Sequence, residues 1–266
     1  MQSYENNQQI THITIDENMP ASCFKDCRHL QCIAISEKVT YISAYCFRST
    51  CLDIVKLPES IETIEEYAFE NCRNLTEIYL PQGLKTIREG AFYGCHNLKK
   101  VYGIENVKNI EAGAFCGCRN LENIELNDEI EEIKEYTFAC CQSLKTIHLP
   151  NRLRKISNHA FQFCEHLSCF RLPNTLQHIS PFAFSSCSDI EQIFLPEGIT
   201  HIDSYAFEDC LKLKDITLPK SLQSIGKRAF WGCDKLDKIV FQSKVMLSDR
   251  TPLFPPTQKT EIIFYL

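Results

Sequence analysis

The sequence predicts a solenoid, a single elongated domain built from one repeating coil. The first observation behind this prediction is a phenylalanine that recurs ten times, from Phe24 to Phe230, at a step of 23 residues in every case but one, where it is 22. The second is a set of apolar positions with the same spacing in each copy. The third is that no Gly/Ser-rich linker or charge block interrupts the chain. A fixed period in this range is typical of coils that stack to form one continuous core.

The first element of each copy is a predicted strand. In the copy LTEIYLPQGLKTIREGAFYGCHN, which starts at Leu75, Ile78 and Leu80 are separated by one residue. This is the period of a half-buried strand. A proline cannot donate to a strand ladder, so it ends the strand and starts a turn. Six copies have this proline, at Pro58, Pro81, Pro150, Pro173, Pro196 and Pro219.

Two further elements follow in each copy. An apolar pair such as Leu84 and Ile87 predicts a short strand or extended bend on the opposite wall. The repeat Phe and the Cys three residues later, as in Phe92 and Cys95, are predicted to share one face of a single helical turn. We expect the repeat phenylalanines to be the structural core: Phe69, Phe92, Phe115, Phe138, Phe161, Phe184, Phe207 and Phe230.

The motif LPxxLxxIxxxAFxxCxxL resembles the leucine-rich repeat superfamily, in particular its 23-residue BspA-like or treponemal type. The resemblance covers about residues 10–241. It implies an α/β solenoid, a right-handed leucine-rich-repeat horseshoe with a parallel β-sheet on the concave face, and short strands, turns and one-turn helices elsewhere. It also implies binding roles, largely adhesion and host contact by secreted or surface-anchored members, and it supplies no catalytic residues.

Three parts of the chain follow from the extent of the repeat. Residues 1–9 form a polar N-terminal segment that either frays or covers the first coil. Residues 10–241 form the solenoid, with about ten coils and a final partial one. Residues 242–266 are interpreted as a C-terminal cap, because the open core edge of a solenoid must be closed. Four copies depart from the pattern. The first is three residues short between Ile15 and Phe24, and Phe47–Leu52 is one residue short. Gly103 and Ile104 replace Leu and Pro in a later copy, and Asn127 replaces Pro in the copy after it.

Nine of the sixteen cysteines occupy one position of the repeat, which we call the Cys slot. They are Cys27, Cys72, Cys95, Cys118, Cys141, Cys164, Cys187, Cys210 and Cys233. Stacked equivalents point the same way, so we expect buried free thiols that pack like small hydrophobes. The off-slot cysteines near the N-terminus, such as Cys23, Cys46 and Cys51, leave a bridge or a metal site open as alternatives. No metal site is predicted.

Composition and motifs disfavour several classes of function. No apolar run approaches the ~20 residues that a membrane helix needs. The net charge is −6 and the basic residues are scattered, which argues against a nucleic-acid groove. No phosphate-binding Gly-rich loop, HExxH motif or Cys–His signature is present, so we expect neither an enzyme nor a bound cofactor. A monomer is expected.

The compartment has two interpretations. The start MQSYENNQQITHI lacks the apolar region of a signal peptide. Together with the many free cysteines, this favours the cytoplasm. If a leader has been removed, the cell surface or the exterior is the alternative.

A binding site is predicted on the residue between the two buried strand positions, because that residue must face out of the sheet. The row is centred on Tyr79, Tyr102, His148, Arg171 and Phe194. Large aromatic residues and Arg often dominate the energy of interfaces. The first hypothesis is therefore a non-catalytic module that binds a protein or a glycan on this row. The second is a structural scaffold without a ligand there, and stabilisation by a metal is one form of this alternative.

Overall fold

The structure is a computed structural model, and it describes residues 3–247, 253 and 260–264. The chain forms two compact units. Unit 1 is Met1–Asn127 with Cys140–Gln142, and unit 2 is Asp128–Ala139 with Ser143–Leu266.

The strands are β1 (His12–Ile15), β2 (Cys32–Ile35), β3 (Tyr41–Ile42), β4 (Ile54–Lys56), β5 (Thr63–Ile64), β6 (Glu77–Tyr79), β7 (Thr86–Ile87), β8 (Lys100–Tyr102), β9 (Asn109–Ile110), β10 (Asn123–Glu125), β11 (Glu132–Ile133), β12 (Thr146–His148), β13 (Lys155–Ile156), β14 (His178–Ile179), β15 (His201–Ile202), β16 (Asp215–Leu218), β17 (Ser224–Ile225), β18 (Lys238–Phe241), β19 (Met246–Leu247) and β20 (Glu261–Phe264).

These strands make a parallel β-solenoid with two sheet faces. The first strand of a coil lies on face A, and the two-residue strand that follows lies on face B. In unit 1, face A pairs β1 with β2 and β4 with β6 and β8, while face B pairs β3, β5, β7 and β9 in order. Ile78 pairs with Val101 and Tyr79 with Tyr102, which is a register of one repeat. Both predicted strands are therefore confirmed.

In unit 2, face B is the more continuous sheet. It contains β11, β13, β14, β15, β17 and β19, whereas face A has β16, β18 and β20. Between β12 and β16, the pairing on face A is reduced to the isolated bridges Thr146–Cys169 and Gln192–Asp215. Between these bridges Phe170 occupies the position that Ile or Val holds in most coils, and its ring stacks on Phe184 at 5.4 Å. The partly buried Phe170 ring thus contacts the Phe column at a coil without a regular strand on face A.

The repeat phenylalanines form columns of stacked rings. All ten are fully buried. In unit 1 the ring centroids from Phe24 to Phe115 are 5.3–5.6 Å apart. In unit 2 those from Phe138 to Phe230 have the same spacing. Offset stacking adds about 0.5–1.5 kcal/mol per pair to the burial of each ring. The predicted structural core is thus the observed one.

The segment around each Phe is a run of turns, and the predicted one-turn helix is wrong. In the described residues the single helical segment is a 3-10 helix at Ile104–Asn106, so the solenoid is β rather than α/β. In the coil of Phe69 the residues two before and two after it, Tyr67 and Asn71, have φ of 54° and 57°. Their N–H groups, like that of Phe69, donate to carbonyls of the next coil at 2.7–2.9 Å. A helix would direct those donors back along its own coil instead.

The 3-10 helix arises at the copy without the usual Leu-Pro pair. Gly103 has φ of 84°, and a Cβ there would lie 2.4 Å from the carbonyl oxygen of Leu80. Only Gly fits this backbone approach, because every other residue carries that Cβ. The helix replaces the proline turn that the other copies use.

Both ends of the described chain continue the coil pattern. At the N-terminal end the Tyr4 ring stacks on Phe24 at 5.5 Å, and the Tyr4 N–H donates to the Cys23 carbonyl. At the C-terminal end β19 joins face B and β20 joins face A. Between them the Leu253 carbonyl accepts from the Phe230 N–H at 3.0 Å. The prolines of the interpreted cap, at 252, 255 and 256, lie outside the described residues.

Candidate binding face

The outward row of face A follows from strand alternation. In β6 the middle residue Ile78 is buried while its two neighbours are partly exposed, and in β12 Ile147 is buried between exposed residues. The predicted row residues therefore face out of the sheet. Tyr79 and Tyr102 belong to unit 1, whereas His148, Arg171 and Phe194 belong to unit 2.

In unit 1 the structure brings Tyr79 and Tyr102 together. Their rings stack at 4.4 Å, and the Lys56 ammonium lies 5.2 Å from the Tyr79 ring centroid. The Tyr79 hydroxyl donates to Glu77 Oε2 at 2.9 Å. That hydrogen bond favours the protonated phenol and raises the pKa of Tyr79 to about 12. Lys56 and Tyr102 therefore contact the Tyr79 ring, and Glu77 binds its hydroxyl group. The Tyr102 ring keeps an exposed edge.

In unit 2 the three predicted residues have different surroundings. His148 is exposed and lies 3.5 Å from Asp128, whose pKa is lowered chiefly by the Asn151 backbone N–H. Arg171 is exposed on the coil where strand pairing is reduced to a bridge. Phe194 is 81% exposed, although its neighbour Ile193 is buried. A single exposed apolar ring is ordinary on a folded domain, so Phe194 becomes a candidate contact only together with the groove beside it.

Phe194 does lie beside a groove. The cavity has a volume of about 380 Å³ and runs over three successive coils of face A. Its apolar lining includes Ile193, Leu195 and Pro219, and its polar lining includes Gln192, Asp215, Thr217 and Gln242. The structure thus groups Phe194 with these residues. Sequence reasoning missed the groove, because it depends on how Pro219 and Gln242 approach from later coils.

Sequence reasoning also missed an aromatic ladder on the turn segment of unit 2. Tyr136, His159, Phe182 and Tyr205 stack at 4.6, 4.9 and 4.7 Å between successive centroids. The Arg228 guanidinium lies 4.5 Å from the Trp231 ring and 5.9 Å from the Tyr205 ring. The signal was present, since each of these stacked residues precedes its repeat Phe by two positions. The ring faces are used for stacking, so this ladder supports the fold rather than a ligand.

The slot thiols are donors in the core. All nine are buried and free. Cys95 Sγ donates to the Phe69 carbonyl at 3.0 Å, and Cys187 Sγ to the Phe161 carbonyl at 3.1 Å. Burial raises the pKa of Cys118 and of Cys187, so they remain protonated. Cys32 and Cys169, by contrast, are exposed on face A.

Two general features bear on function. Among the residues that the structure describes, no group of three or more His, Cys, Asp or Glu side chains is placed to hold a metal ion. In that same part of the chain, no helix is long and apolar enough to cross a membrane.

The repeat geometry agrees with the comparison of the sequence with protein families. Residues 1–122 and 108–237 match the BspA-type leucine-rich repeat region. The chain belongs to the BspA-type leucine-rich repeat family. The predicted resemblance is confirmed, and the BspA-type family is generally non-catalytic. No curated protein sequence matches the chain.

Solved structures share the BspA-type fold at low identity. A leucine-rich cell surface protein from Faecalibacterium prausnitzii is 23% identical, with a TM-score of 0.60 over 96% of this chain and 79% of its own. A leucine-rich repeat protein from Bacteroides ovatus is 20% identical, with a TM-score of 0.60 over 99% and 86%. The pneumococcal vaccine antigen PcpA is 21% identical, with a TM-score of 0.61 over 87% and 62%. At these identities the likeness shows the fold alone.

Proposed function

We propose that this BspA-type protein is a non-catalytic binding module that presents face A to a protein or glycan partner. The observation that carries the proposal is Phe194, which is 81% exposed beside a groove of about 380 Å³.

The chemistry of the groove supports this proposal. Phe194 offers a large apolar anchor, and Gln192 and Thr217 offer hydrogen-bonding groups around it. Interfaces combine such an aromatic anchor with a polar rim that fixes orientation. The buried Ile193 under the anchor holds the backbone in place, so little order has to be gained on binding.

The tyrosine pair of unit 1 supports the same role on its own. Lys56, Tyr79 and Tyr102 form a rigid surface with a cation, a ring edge and hydroxyl groups. Tyr is well suited to recognition, because it covers a large area with only two side-chain torsions. The surface is preorganised by the Glu77 hydrogen bond.

The compartment is part of the proposal. The buried reduced thiols favour a reducing compartment such as the cytoplasm. Some relatives are described as a cell surface protein and as a vaccine antigen, which favours the exterior. Labelling of intact cells with a membrane-impermeant biotin reagent distinguishes the two, because only a surface protein is labelled.

The test compares three variants in binding to a glycan array and to a panel of purified extracellular proteins. We expect Phe194→Ala or Tyr102→Ala to weaken binding at least tenfold with an unchanged melting temperature. The matched control is Phe163→Ala, because Phe163 is 43% exposed but lies on the turn segment. Equal binding by wild type and Phe194→Ala, or an equal loss in the control, would favour the structural scaffold instead.

A further inference from the structure

A shortened loop opens a second groove, on the turn side of unit 1. Most coils place two residues between the Cys slot and the next Leu, but only Cys51 separates Thr50 from Leu52. The coils on either side keep the full loop, with Arg28 and Arg73 directly after their slot cysteines. The short loop leaves a groove of about 380 Å³ between the two longer ones.

The groove is lined by cations and neutral hydrogen-bonding groups. Its lining includes Arg28, Arg73, Ser49, Asn71 and Asn74, with Cys51 between the two arginines along the stack. None of the side chains that line it is a carboxylate. This contrasts with the acidic chain as a whole, whose net charge is −6.

Neighbouring carboxylates leave most of this positive charge available. Asp26 Oδ1 is 3.9 Å from Arg28 Nη2, at the limit of an ion pair, and the Arg28 side chain is 72% exposed. Glu70 is paired with Arg48 at 3.2 Å. Within the described part of the chain, Arg73 forms no ion pair.

The positive charge extends along the same loop position of later coils in unit 1, which we call the basic row: Arg28, Arg73, His96 and Arg119. The three arginines are two coils apart in each step, roughly 10 Å at the usual strand spacing. Burial and the fields of Arg119 and Arg73 lower the pKa of His96, so this ring is neutral at pH 7 and the charge of the row is that of its three arginines. A linear ligand with regularly spaced anions matches such a row.

We propose that this groove binds a sulfate group of a linear sulfated glycan, and that further sulfates of the same glycan contact the basic row. The planar guanidinium fork matches a tetrahedral oxyanion, and Arg is preferred over Lys for such contacts. The Asn71 and Asn74 amides and the Ser49 hydroxyl both donate and accept, as sugar hydroxyls require. This site belongs to unit 1 and shares no lining residue with the groove beside Phe194, and the proposal does not rest on the function proposed for face A.

Cys51 provides a direct readout of occupancy. In the full-length protein, we would measure the alkylation rate of each thiol by peptide mass spectrometry, with and without a heparin-derived hexasaccharide. We expect the hexasaccharide to slow labelling of Cys51 at least fivefold and to leave the exposed Cys169 of unit 2 unchanged. The same hexasaccharide without its sulfates should protect neither thiol. A Cys51 rate that does not respond to the sulfated hexasaccharide would overturn the proposal without any variant.

Charge-removing variants locate the site. Arg28→Gln and Arg73→Gln should each lower hexasaccharide affinity at least tenfold, while Arg152→Gln, an exposed Arg of unit 2, should leave it unchanged. Arg73→Lys should retain only part of the affinity, because Lys lacks the fork. Arg119→Gln should weaken the hexasaccharide but not a sulfated monosaccharide. An equal loss of affinity in Arg152→Gln would show that the effect depends on net charge alone, and it would overturn the proposed site.

The source of the oxyanion is settled by two competitors. Inorganic sulfate or a phosphorylated peptide, each at the same concentration of anionic groups, should protect Cys51 less than the hexasaccharide. Equal protection by inorganic sulfate would assign a free ion, and equal protection by the peptide would assign a protein partner. Either result would overturn the glycan. Added salt should weaken the hexasaccharide complex, since its contacts are ionic.

Discussion

Each repeat cysteine is held by a hydrogen bond as well as by its size. The Phe69 carbonyl accepts from the Cys72 N–H at 3.1 Å within its own coil and from Cys95 Sγ at 3.0 Å. A buried carbonyl has two lone pairs, and both are used here. Alanine would fill part of the slot but would leave one lone pair without a donor. This explains why the repeat favours Cys over another small residue.

The repeat Phe is expected to be the largest single contribution to the core. Phe161 is fully buried and stacks on Phe138 and Phe184 at 5.5 and 5.3 Å. Phe161→Ala should lower the free energy of unfolding by about 3–5 kcal/mol in urea melts, because it leaves a cavity. The neighbouring Phe163→Ala, at a side chain that is 43% exposed, should change it by less than about 0.5 kcal/mol. Similar losses in the two variants would contradict the stacked core.

The turn segment places two residues of each coil at positive φ, and this cost is measurable. Gly113 has φ of 62°, and a Cβ added there meets no atom within 4 Å. Gly113→Ala should therefore destabilise the protein by about 1 kcal/mol through backbone conformation alone. Ser186→Gly, at φ of 60°, is the reverse change and should not destabilise. Denaturant melts of both variants test this, and an unchanged Gly113→Ala would show that the turn tolerates a side chain freely.

At the scale of the element, the hydrogen bond of β6 has a pH signature. The pKa of Tyr79 is raised to about 12, whereas a free tyrosine has a pKa of about 10. A raised pKa means that the stabilisation is complete below about pH 10 and is lost as pH rises from about 10 to about 12. Absorbance titration at the tyrosinate band should show a late phase that contains Tyr79 and also Tyr67, because a hydrogen bond to Glu89 raises the pKa of Tyr67 to about 12. Glu77→Gln should remove the Tyr79 part of that phase and leave the Tyr67 part. A late phase of the same amplitude in wild type and in Glu77→Gln would contradict the bond.

Face A and face B could be predicted from the sequence because strand alternation is local. The pair Ile78 and Leu80 predicts which residues face inward without knowledge of the coil closure. The turn segment could not be predicted in the same way. A spacing of three between Phe92 and Cys95 fits both a helical turn and a run of β-turns, and the choice depends on hydrogen bonds to the next coil.

The predicted binding row shows the same limit. Strand alternation correctly predicts that Phe194 is exposed. The groove beside Phe194 could not be predicted in this way, because Pro219 and Gln242 of later coils form part of its lining. The aromatic ladder from Tyr136 to Tyr205 has a clear 23-residue period, and only the conformation of the turn shows that those side chains stack. Periodicity therefore predicts which residues are equivalent, while the backbone between them decides what they contact.

At the scale of the whole molecule, stability is the sum of neighbouring coil contacts. A chain that ends at Phe241 loses the pairing of β19 and β20 and exposes the edge of β18. Such an edge promotes association. We expect a lower melting temperature and a concentration-dependent increase in mass by light scattering, against a monomeric full-length protein. A truncated chain that stays monomeric with unchanged melting would show that the final coil adds nothing.

Access to the thiols should follow the coil architecture. Alkylation of the native protein should label Cys32 and Cys169 rapidly, because both are exposed on face A. The nine slot thiols should react only after denaturant is added, since they are buried. Peptide mass spectrometry reads both sets in one experiment. Rapid native labelling of Cys164 would contradict its contact with the Phe138 carbonyl.

The sulfur–carbonyl contacts also determine how the protein responds to irreversible oxidation. While a coil is closed, its slot thiol is buried and shielded from oxidants. When a coil opens briefly, oxidation to a sulfinic or sulfonic acid replaces a donor with acceptor oxygens, and that change is irreversible in the protein alone. An oxidised slot would set these oxygens against a carbonyl, so the coil could not close again. A single oxidation of one slot thiol is therefore enough to keep its coil open. The lifetime of the protein in an oxidising medium then depends on how often its least stable coil opens.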